Sequence, residues 1–126
     1  MTYVLVKPKG YVERAFEGSL SPAVDIIEGP ESFVIYLDLP GLEKDEVEVV
    51  VNEGVLTVTG ERARTEPENE DYYRYFERPA GQFRRAFRIP EDVVEGGEVK
   101  ASYTNGVLTL ELRKKEKAKP KTIAVN

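Results

Sequence analysis

The sequence predicts an all-β fold with two sheets, and two observations lead to this prediction. The dipeptide Asn105-Gly106 separates two runs in which apolar and polar residues alternate, and both residues tolerate the positive φ angles of a two-residue type I′ hairpin turn. The same pattern occurs 52 residues earlier, so that Gly54 aligns with Gly106 and Leu56 with Leu108. Two copies of one hairpin suggest two sheets, each of which ends in an edge strand.

The first strands of the predicted domain come before both hairpins. The folded region begins at Ser21-Pro22, and two strands follow on either side of a turn at Gly29-Pro30, where glycine and proline favour a reversal of the chain. Apolar residues alternate along these strands at Val24, Ile26, Phe33, Ile35, Leu37 and Leu39. A short acidic turn then leads to the first hairpin at Glu46.

The first strand of each hairpin has an apolar side and a charged side. Glu48 and Lys100 lie on the charged sides, and outward charges of this kind are common in strands at the edge of a sheet. The apolar sides are formed by Val47, Val49 and Val51 in the first hairpin and by Val99, Ala101 and Tyr103 in the second. We therefore expect two edge strands, each with one apolar side.

Composition argues against several classes of function. The 126 residues contain neither cysteine nor histidine, so disulfides, thiol nucleophiles, histidine-based catalytic triads and imidazole metal sites are not expected. No glycine-rich phosphate loop is present. The carboxylates of Glu43, Asp45, Glu46 and Glu48 are better explained as the solvated surface of a turn and an edge. We expect neither an enzyme nor a cofactor.

No stretch of the sequence suggests a membrane or nucleic-acid partner. No apolar run approaches the roughly 18 residues of a membrane span, and the N-terminus lacks the pattern of a secretory signal, so we expect a cytoplasmic protein. The net charge of −5 combines −10 over residues 1–71 with +5 over residues 72–126. This division either solvates the surface or steers the basic end of one chain onto the acidic part of another. An acidic chain without a recognition motif does not predict nucleic-acid binding.

Several separate segments agree with one protein family. Residues 101–108 read ASYTNGVL, which resembles the A-x-x-x-N-G-V-L signature of the small heat shock proteins, the α-crystallin family. Other segments resemble the family in the same order, with PAVDI at 22–26, DLPG at 38–41, LTVTGER at 56–62, FRRAFRIP at 83–90 and IAV at 123–125. The resemblance implies an immunoglobulin-like two-sheet β-sandwich, the α-crystallin domain, at residues 22–113. A short N-terminal arm at 1–21 and a flexible C-terminal tail at 114–126 would flank it.

The resemblance also implies a function. Members of this family are ATP-independent chaperones that hold partly unfolded proteins and prevent their aggregation under heat or other stress. They form homodimers that assemble into larger homo-oligomers, so the expected partners are other copies of this chain and non-native client proteins. The alternative is a sandwich adaptor similar to the CS-domain co-chaperones, which lack both the long strand-carrying loop and the terminal I-x-V peptide.

An aromatic run follows a polar, acidic stretch at residues 63–71. The run consists of Tyr72, Tyr73, Arg74, Tyr75 and Phe76. One interpretation is a local hairpin that buries the run within its own chain. In the bacterial, archaeal and plant members that the sequence resembles, a strand of the corresponding loop crosses to a partner subunit and completes its sheet. The resemblance therefore predicts a strand-swapped dimer with this run in its interface.

Arg85 is a charge at a position where apolar residues are expected. It has the same strand parity as Phe83, Phe87 and Ile89. An inward charge of this kind can block unwanted pairing at a sheet edge. The other interpretation is a charge-assisted bond to a carboxylate across a subunit interface, and Arg85 matches the dimer-interface arginine of the family. Glu77 and the acidic loop are candidate partners.

The C-terminal tail ends in two apolar residues that follow a basic tether. Ile123 and Val125 lie on the same side of an extended peptide, because side chains alternate along it. By itself this pattern describes any frayed end. The resemblance implies that both residues dock between the edge strands of a neighbouring subunit, in a groove edged by 47–51 and 99–103, with Glu46 and Glu48 close enough to attract the lysines of the tether.

The N-terminal arm contains apolar residues, some of them spaced for one face of a short helix. The candidate client contacts are Tyr3, Val4, Leu5, Val6, Tyr11, Val12 and Phe16. A helix of this length is marginal in water, so its apolar side chains need another surface. That surface is either the sandwich of the same chain or, as the resemblance implies, another subunit or a client protein.

Overall fold

The structure is a computed structural model that describes residues 13–14, 20–64, 67–90, 92 and 94–126. These residues form strands β1 (Glu13–Arg14), β2 (Val24–Glu28), β3 (Ser32–Asp38), β4 (Val47–Asn52), β5 (Val55–Arg62), β6 (Tyr75–Phe76), β7 (Gly81–Arg88), β8 (Val94–Thr104) and β9 (Val107–Lys114). Three short 3₁₀ turns lie at Lys44–Glu46, Glu70–Tyr72 and Glu116–Ala118. The candidate client contacts Tyr3, Val4, Leu5, Val6, Tyr11, Val12 and Phe16 lie outside the described residues.

Both predicted hairpins are present, and their turns have the expected backbone. Asn105 and Gly106 have φ angles of 54° and 77°, which are positive at both central positions as in a type I′ turn. Glu53 and Gly54 adopt the same conformation, with φ angles of 49° and 75°. The first hairpin thus places a glutamate in the left-handed region, where the second has the asparagine that favours it.

The strands form two antiparallel sheets around one core, which confirms the predicted two-sheet fold. One sheet has the strand order β2-β3-β9-β8, and the other has the order β4-β5-β7. The first strands of the two hairpins, β4 and β8, lie at sheet edges as predicted. The other two edges are β2 and β7.

The core lies between the two sheets and follows the predicted alternation. Among its most buried side chains are Ile35, Leu37 and Leu110 from the four-stranded sheet and Leu56, Val58 and Phe83 from the three-stranded sheet. Side chains of this size each contribute roughly 1.5 to 3 kcal/mol when they leave water. Ile26 differs, because it shares the inward parity of the buried β3 residues but is 57% exposed. The reason is that β2 is an edge strand.

A third, two-stranded sheet pairs β1 with β6 in parallel, with Glu13 opposite Tyr75 and Arg14 opposite Phe76. This finding corrects the prediction of a short helix over residues 11–16, since the two described residues of that stretch are extended. The physical reason is that pairing with β6 provides backbone hydrogen bonds, whereas an isolated helix of this length is marginal in water.

Lys114 belongs to the sandwich, although the sequence suggested that the tether begins there. It is the last residue of β9 and is 8% exposed. Its Nζ lies 2.7 Å from Glu28 Oε2, and its backbone N–H donates to the carbonyl of Glu31 at 2.9 Å. The ordered strand therefore extends one residue beyond the expected boundary.

Candidate functional site

A groove of about 340 Å³ runs between the edge strands β4 and β8. Its lining consists of Lys44, Val47, Val49, Ala101, Ser102, Tyr103, Thr104 and Leu108. Four of the six predicted groove residues are brought together here, namely Val47, Val49, Ala101 and Tyr103. The apolar side of each edge strand thus faces the gap between the sheets. Extended peptides bind other proteins at sheet edges, with pockets that accept their alternate side chains.

The other two predicted groove residues lie elsewhere. Val51 is exposed near the end of β4. Val99 is half-buried in β8 and lines a different, shallow pocket together with the charged residues Lys100, Glu111 and Arg113. Val99 also packs against the core. The sequence pattern gave all six residues one parity. It could not show which part of each strand opens to the groove, since this depends on how the two sheets lie across each other.

Tyr103 is fixed by a contact far away in sequence. Its hydroxyl donates a hydrogen bond to the carbonyl oxygen of Leu39. The N–H of Leu39 in turn donates to the carbonyl of Gly106 at 2.7 Å, and an added Cβ at Gly106 would lie 3.1 Å from the Cα of Pro40. The end of β3 therefore holds both the hairpin turn and one wall of the groove.

The two tail residues are uncovered within their own chain. Ile123 is 83% exposed and Val125 is 95% exposed, and residues 121–126 have no regular secondary structure. Just before them, Lys119 Nζ lies 2.8 Å from Glu116 Oε1 in a 3₁₀ turn. The hydrogen bond and positive charge of Lys119 lower the pKa of Glu116. Because the burial of apolar side chains is favourable, binding of Ile123 and Val125 to a surface that removes them from water lowers the free energy.

The aromatic run packs in part on its own loop. The ring centroids of Tyr73 and Phe76 are 4.3 Å apart, and the guanidinium carbon of Arg64 lies 4.3 Å from the centroid of the Phe76 ring. Arg74 donates hydrogen bonds to the carbonyls of Asp71 and Tyr73. Tyr72 is exposed, and Tyr75 is half-buried in β6. The strand β6 pairs with β1 in a two-stranded sheet.

The outer edge of β2 is a further apolar surface, which the sequence reasoning did not single out. Ile26 is 57% exposed and Ile27 is 55% exposed, although they point to opposite faces of the strand. Two large apolar neighbours in one short strand were the available signal, because a solvated edge strand usually has one polar side. The β2 edge is thus suited to pairing with another strand.

Arg85 has the inward parity that the sequence predicted. It lies opposite Val58 in the pairing of β7 with β5, it is half-buried, and its guanidinium carbon is 5.9 Å from the centroid of the Phe87 ring. In the described part of the chain the ion pairs join other residues, Lys114 to Glu28 and Lys119 to Glu116. Within the described residues, therefore, no carboxylate of the same chain forms an ion pair with Arg85.

Arg62 is a structural residue that the sequence reasoning missed. It is 8% exposed, and it donates hydrogen bonds from Nη1 to the carbonyl of Pro40 at 3.1 Å and from Nε to the carbonyl of Pro79 at 3.0 Å. Burial and the positive charge of Arg78 lower the pKa of Arg62. The available signal was parity, since Arg62 has the same strand parity as the buried Leu56 and Val58.

Comparison with known proteins assigns the family. A sequence model of the Hsp20/alpha crystallin family matches residues 25–126, which include the sandwich and the tail. The chain belongs to the Hsp20/alpha crystallin family. Its all-β sandwich with two antiparallel sheets is the α-crystallin domain that the sequence predicted, and membership supports the predicted chaperone role.

Similar members of the family are known as heat shock proteins. The chain is 45% identical over 104 residues to an 18.3 kDa class I heat shock protein of Oxybasis rubra, covering 82% of this chain and 64% of that protein. It is 48% identical over 104 residues to a 16.9 kDa class I heat shock protein 1 of Triticum aestivum, covering 81% and 68%. The chain thus spans about two thirds of the length of these curated relatives.

Solved structures of the family have the same fold. A small heat-shock protein from Xylella fastidiosa, described as having a distinct high order structure, has a TM-score of 0.73 and 33% identity, over 86% of this chain and 99% of that chain. Heat shock protein 16.0 from Schizosaccharomyces pombe has a TM-score of 0.72 and 34% identity, over 86% and 100%. The adaptor alternative is not favoured, because these relatives are small heat shock proteins.

The described residues also bear on metal and membrane binding. They contain no group of three or more Asp or Glu side chains arranged to hold a metal ion. None of the helical segments described is long and apolar enough to cross a membrane. The relatives described above are named as heat shock proteins.

Proposed function

We propose that this family member is an ATP-independent holdase, which binds partly unfolded proteins and keeps them from aggregating under heat or other stress. The observation that carries the proposal is the amount of apolar surface left open by a single folded chain. This surface comprises the β2 edge, the groove between β4 and β8, and the two tail residues. Unfolding proteins expose matching apolar segments and unpaired strands, and binding them lowers the concentration of the species that aggregates.

The dimer in this proposal is strand-swapped through residues 72–76. The β6 strand of one subunit would pair with the β2 edge of its partner and cover Ile26. The exposed apolar residues of β2 support this arrangement. Arg85, which has no described carboxylate in its own chain, would gain a charge-assisted partner across the same interface.

Larger assemblies would form when the tail of one subunit docks in the groove of another. Ile123 and Val125 would enter the groove beside Val47, Val49, Ala101 and Tyr103. Burying two such side chains yields about 3 to 6 kcal/mol before ordering costs. A contact of this strength exchanges readily, and several of them together hold an assembly. Glu46 and Glu48, both exposed, would attract the lysines of the tether.

The domain organisation in this proposal follows the sequence prediction of an arm at 1–21, a sandwich at 22–113 and a tail at 114–126, except that Lys114 is the last residue of the sandwich. The arm residues would contact clients or other subunits. The cytoplasmic location of the protein also stays a prediction from the sequence.

Light scattering of a heat-labile client protein tests the holdase proposal. The client is heated without ATP, alone or with the full chain at increasing mass ratios, and an unrelated acidic protein of similar mass serves as the control. We expect light scattering by the client to fall as the mass of added chain approaches the mass of client, while the control protein has no effect. Unchanged client aggregation at equal mass would contradict the holdase activity.

A further inference from the structure

A small cavity lies where the loop between β5 and β7 leaves the sandwich and returns to it. Its volume is about 120 Å³, enough for several water molecules or one small oxyanion. The outgoing side of the loop contributes Arg62 and Arg64 to the lining, and the returning side contributes Arg78. Three guanidinium groups therefore line the same cavity from two sides of the loop stem.

The described lining of this cavity carries a net positive charge, because it has three arginines and one carboxylate, that of Glu77. Arg62 is 8% exposed, and both of its hydrogen-bonding partners are neutral carbonyls, those of Pro40 and Pro79. Its guanidinium has five N–H groups, and three of them are used in these bonds. Glu77 also lines the cavity, but it is exposed, and the ion pairs within the described ranges involve other residues. A buried cation without a counter-charge is unfavourable.

The arginines offer hydrogen-bond donors to the cavity from the two sides of the loop stem, which is what an oxyanion requires.

We propose that this cavity is a binding site for a small inorganic oxyanion of the phosphate type. Arg62 and Arg78 hold the anion from the two sides of the loop stem, and Arg64 adds positive charge. The bound anion joins the two sides of the stem, so it stiffens the loop that carries β6. The proposal does not depend on the holdase activity, since it concerns binding to the folded chain alone.

Isothermal titration calorimetry of the full chain with sodium phosphate tests this proposal. Ionic strength is kept constant with sodium chloride, so that non-specific screening does not change. We expect saturable binding to the wild type. Arg78→Gln should weaken it at least about tenfold, as expected for one lost charge-assisted hydrogen bond. Arg88→Gln is the matched control, because Arg88 is an exposed arginine of β7 outside the cavity lining, and its affinity should equal that of the wild type.

Absence of saturable phosphate binding to the wild type, or equal affinity in Arg78→Gln and Arg88→Gln, would overturn the proposal.

Discussion

The hydroxyl of Tyr103 donates a hydrogen bond to the carbonyl of Leu39, which joins an edge strand of the sandwich to the end of β3. The two residues are 64 positions apart in the sequence. Because Tyr103 also lines the groove between β4 and β8, the bond holds one wall of the proposed docking site in place. The following predictions concern this contact and three other features of the fold.

Tyr103→Phe keeps the aromatic ring and removes the hydroxyl. We expect a loss of about 1 kcal/mol in the free energy of unfolding, because the carbonyl of Leu39 loses its side-chain donor. Urea denaturation followed by circular dichroism measures the change. Tyr36→Phe is the control, since Tyr36 is more exposed and lies on the outer face of β3. An equal effect of the two substitutions would exclude a specific role for this bond.

Gly60→Ala should destabilise the sandwich. A Cβ at this position would lie 2.6 Å from the Phe83 ring and 2.7 Å from the carbonyl oxygen of Glu46, so both strands next to β5 would have to move. Overpacking of this kind costs about 1 to 3 kcal/mol. Thermal unfolding provides the measurement. Gly29→Ala is the control, because the nearest atom to its Cβ would be 3.6 Å away. Similar melting temperatures for both variants would refute the prediction.

Ile123→Ala combined with Val125→Ala should reduce the assembly to dimers without changing the stability of the subunit. Both side chains are almost fully exposed in the single chain, so their loss removes only the contacts of the proposed docking. Native mass spectrometry reports the particle mass. Thr122→Ala with Asn126→Ala alters two exposed neighbours and should leave the mass unchanged. If the double apolar variant keeps the wild-type mass, the tail does not hold the assembly together.

Arg85→Gly should weaken the dimer. We expect the dimer dissociation constant to rise at least about tenfold, as expected when one charge-assisted hydrogen bond is lost. Analytical ultracentrifugation measures dimer dissociation, and the chains also contain Ile123→Ala and Val125→Ala so that larger assemblies do not form. Arg84→Gly carries the same cost of glycine in β7, but Arg84 is exposed on the opposite side of the strand. Equal dissociation constants for the two variants would rule out an interface role for Arg85.

The sequence was sufficient for features that depend on neighbouring residues. Asn105-Gly106 identified one hairpin, the shifted copy identified the other, and alternation gave the inward residues of β3 and β9. The parity of Arg85 was also predicted correctly. These features are local, because a turn or a strand face is determined within a few residues.

Other features depend on contacts between distant segments, and the sequence did not reveal them. The pairing of β1 with β6 joins residues about sixty positions apart and replaced a predicted helix. Val51 and Val99 have the right parity but lie away from the groove. Arg62 was overlooked because its partners are the backbone carbonyls of Pro40 and Pro79, whose positions follow only from the folded chain.

The hydrogen bonds of Arg62 to the carbonyls of Pro40 and Pro79 have a consequence for how this protein can evolve. Both acceptors are main-chain atoms, so the anchorage at positions 40 and 79 depends on the path of the backbone and not on side-chain identity there. Substitutions or length changes farther out in the loop can accumulate while its base stays fixed to the sandwich. Divergent copies could thereby acquire new subunit specificity without rebuilding the fold that supports it.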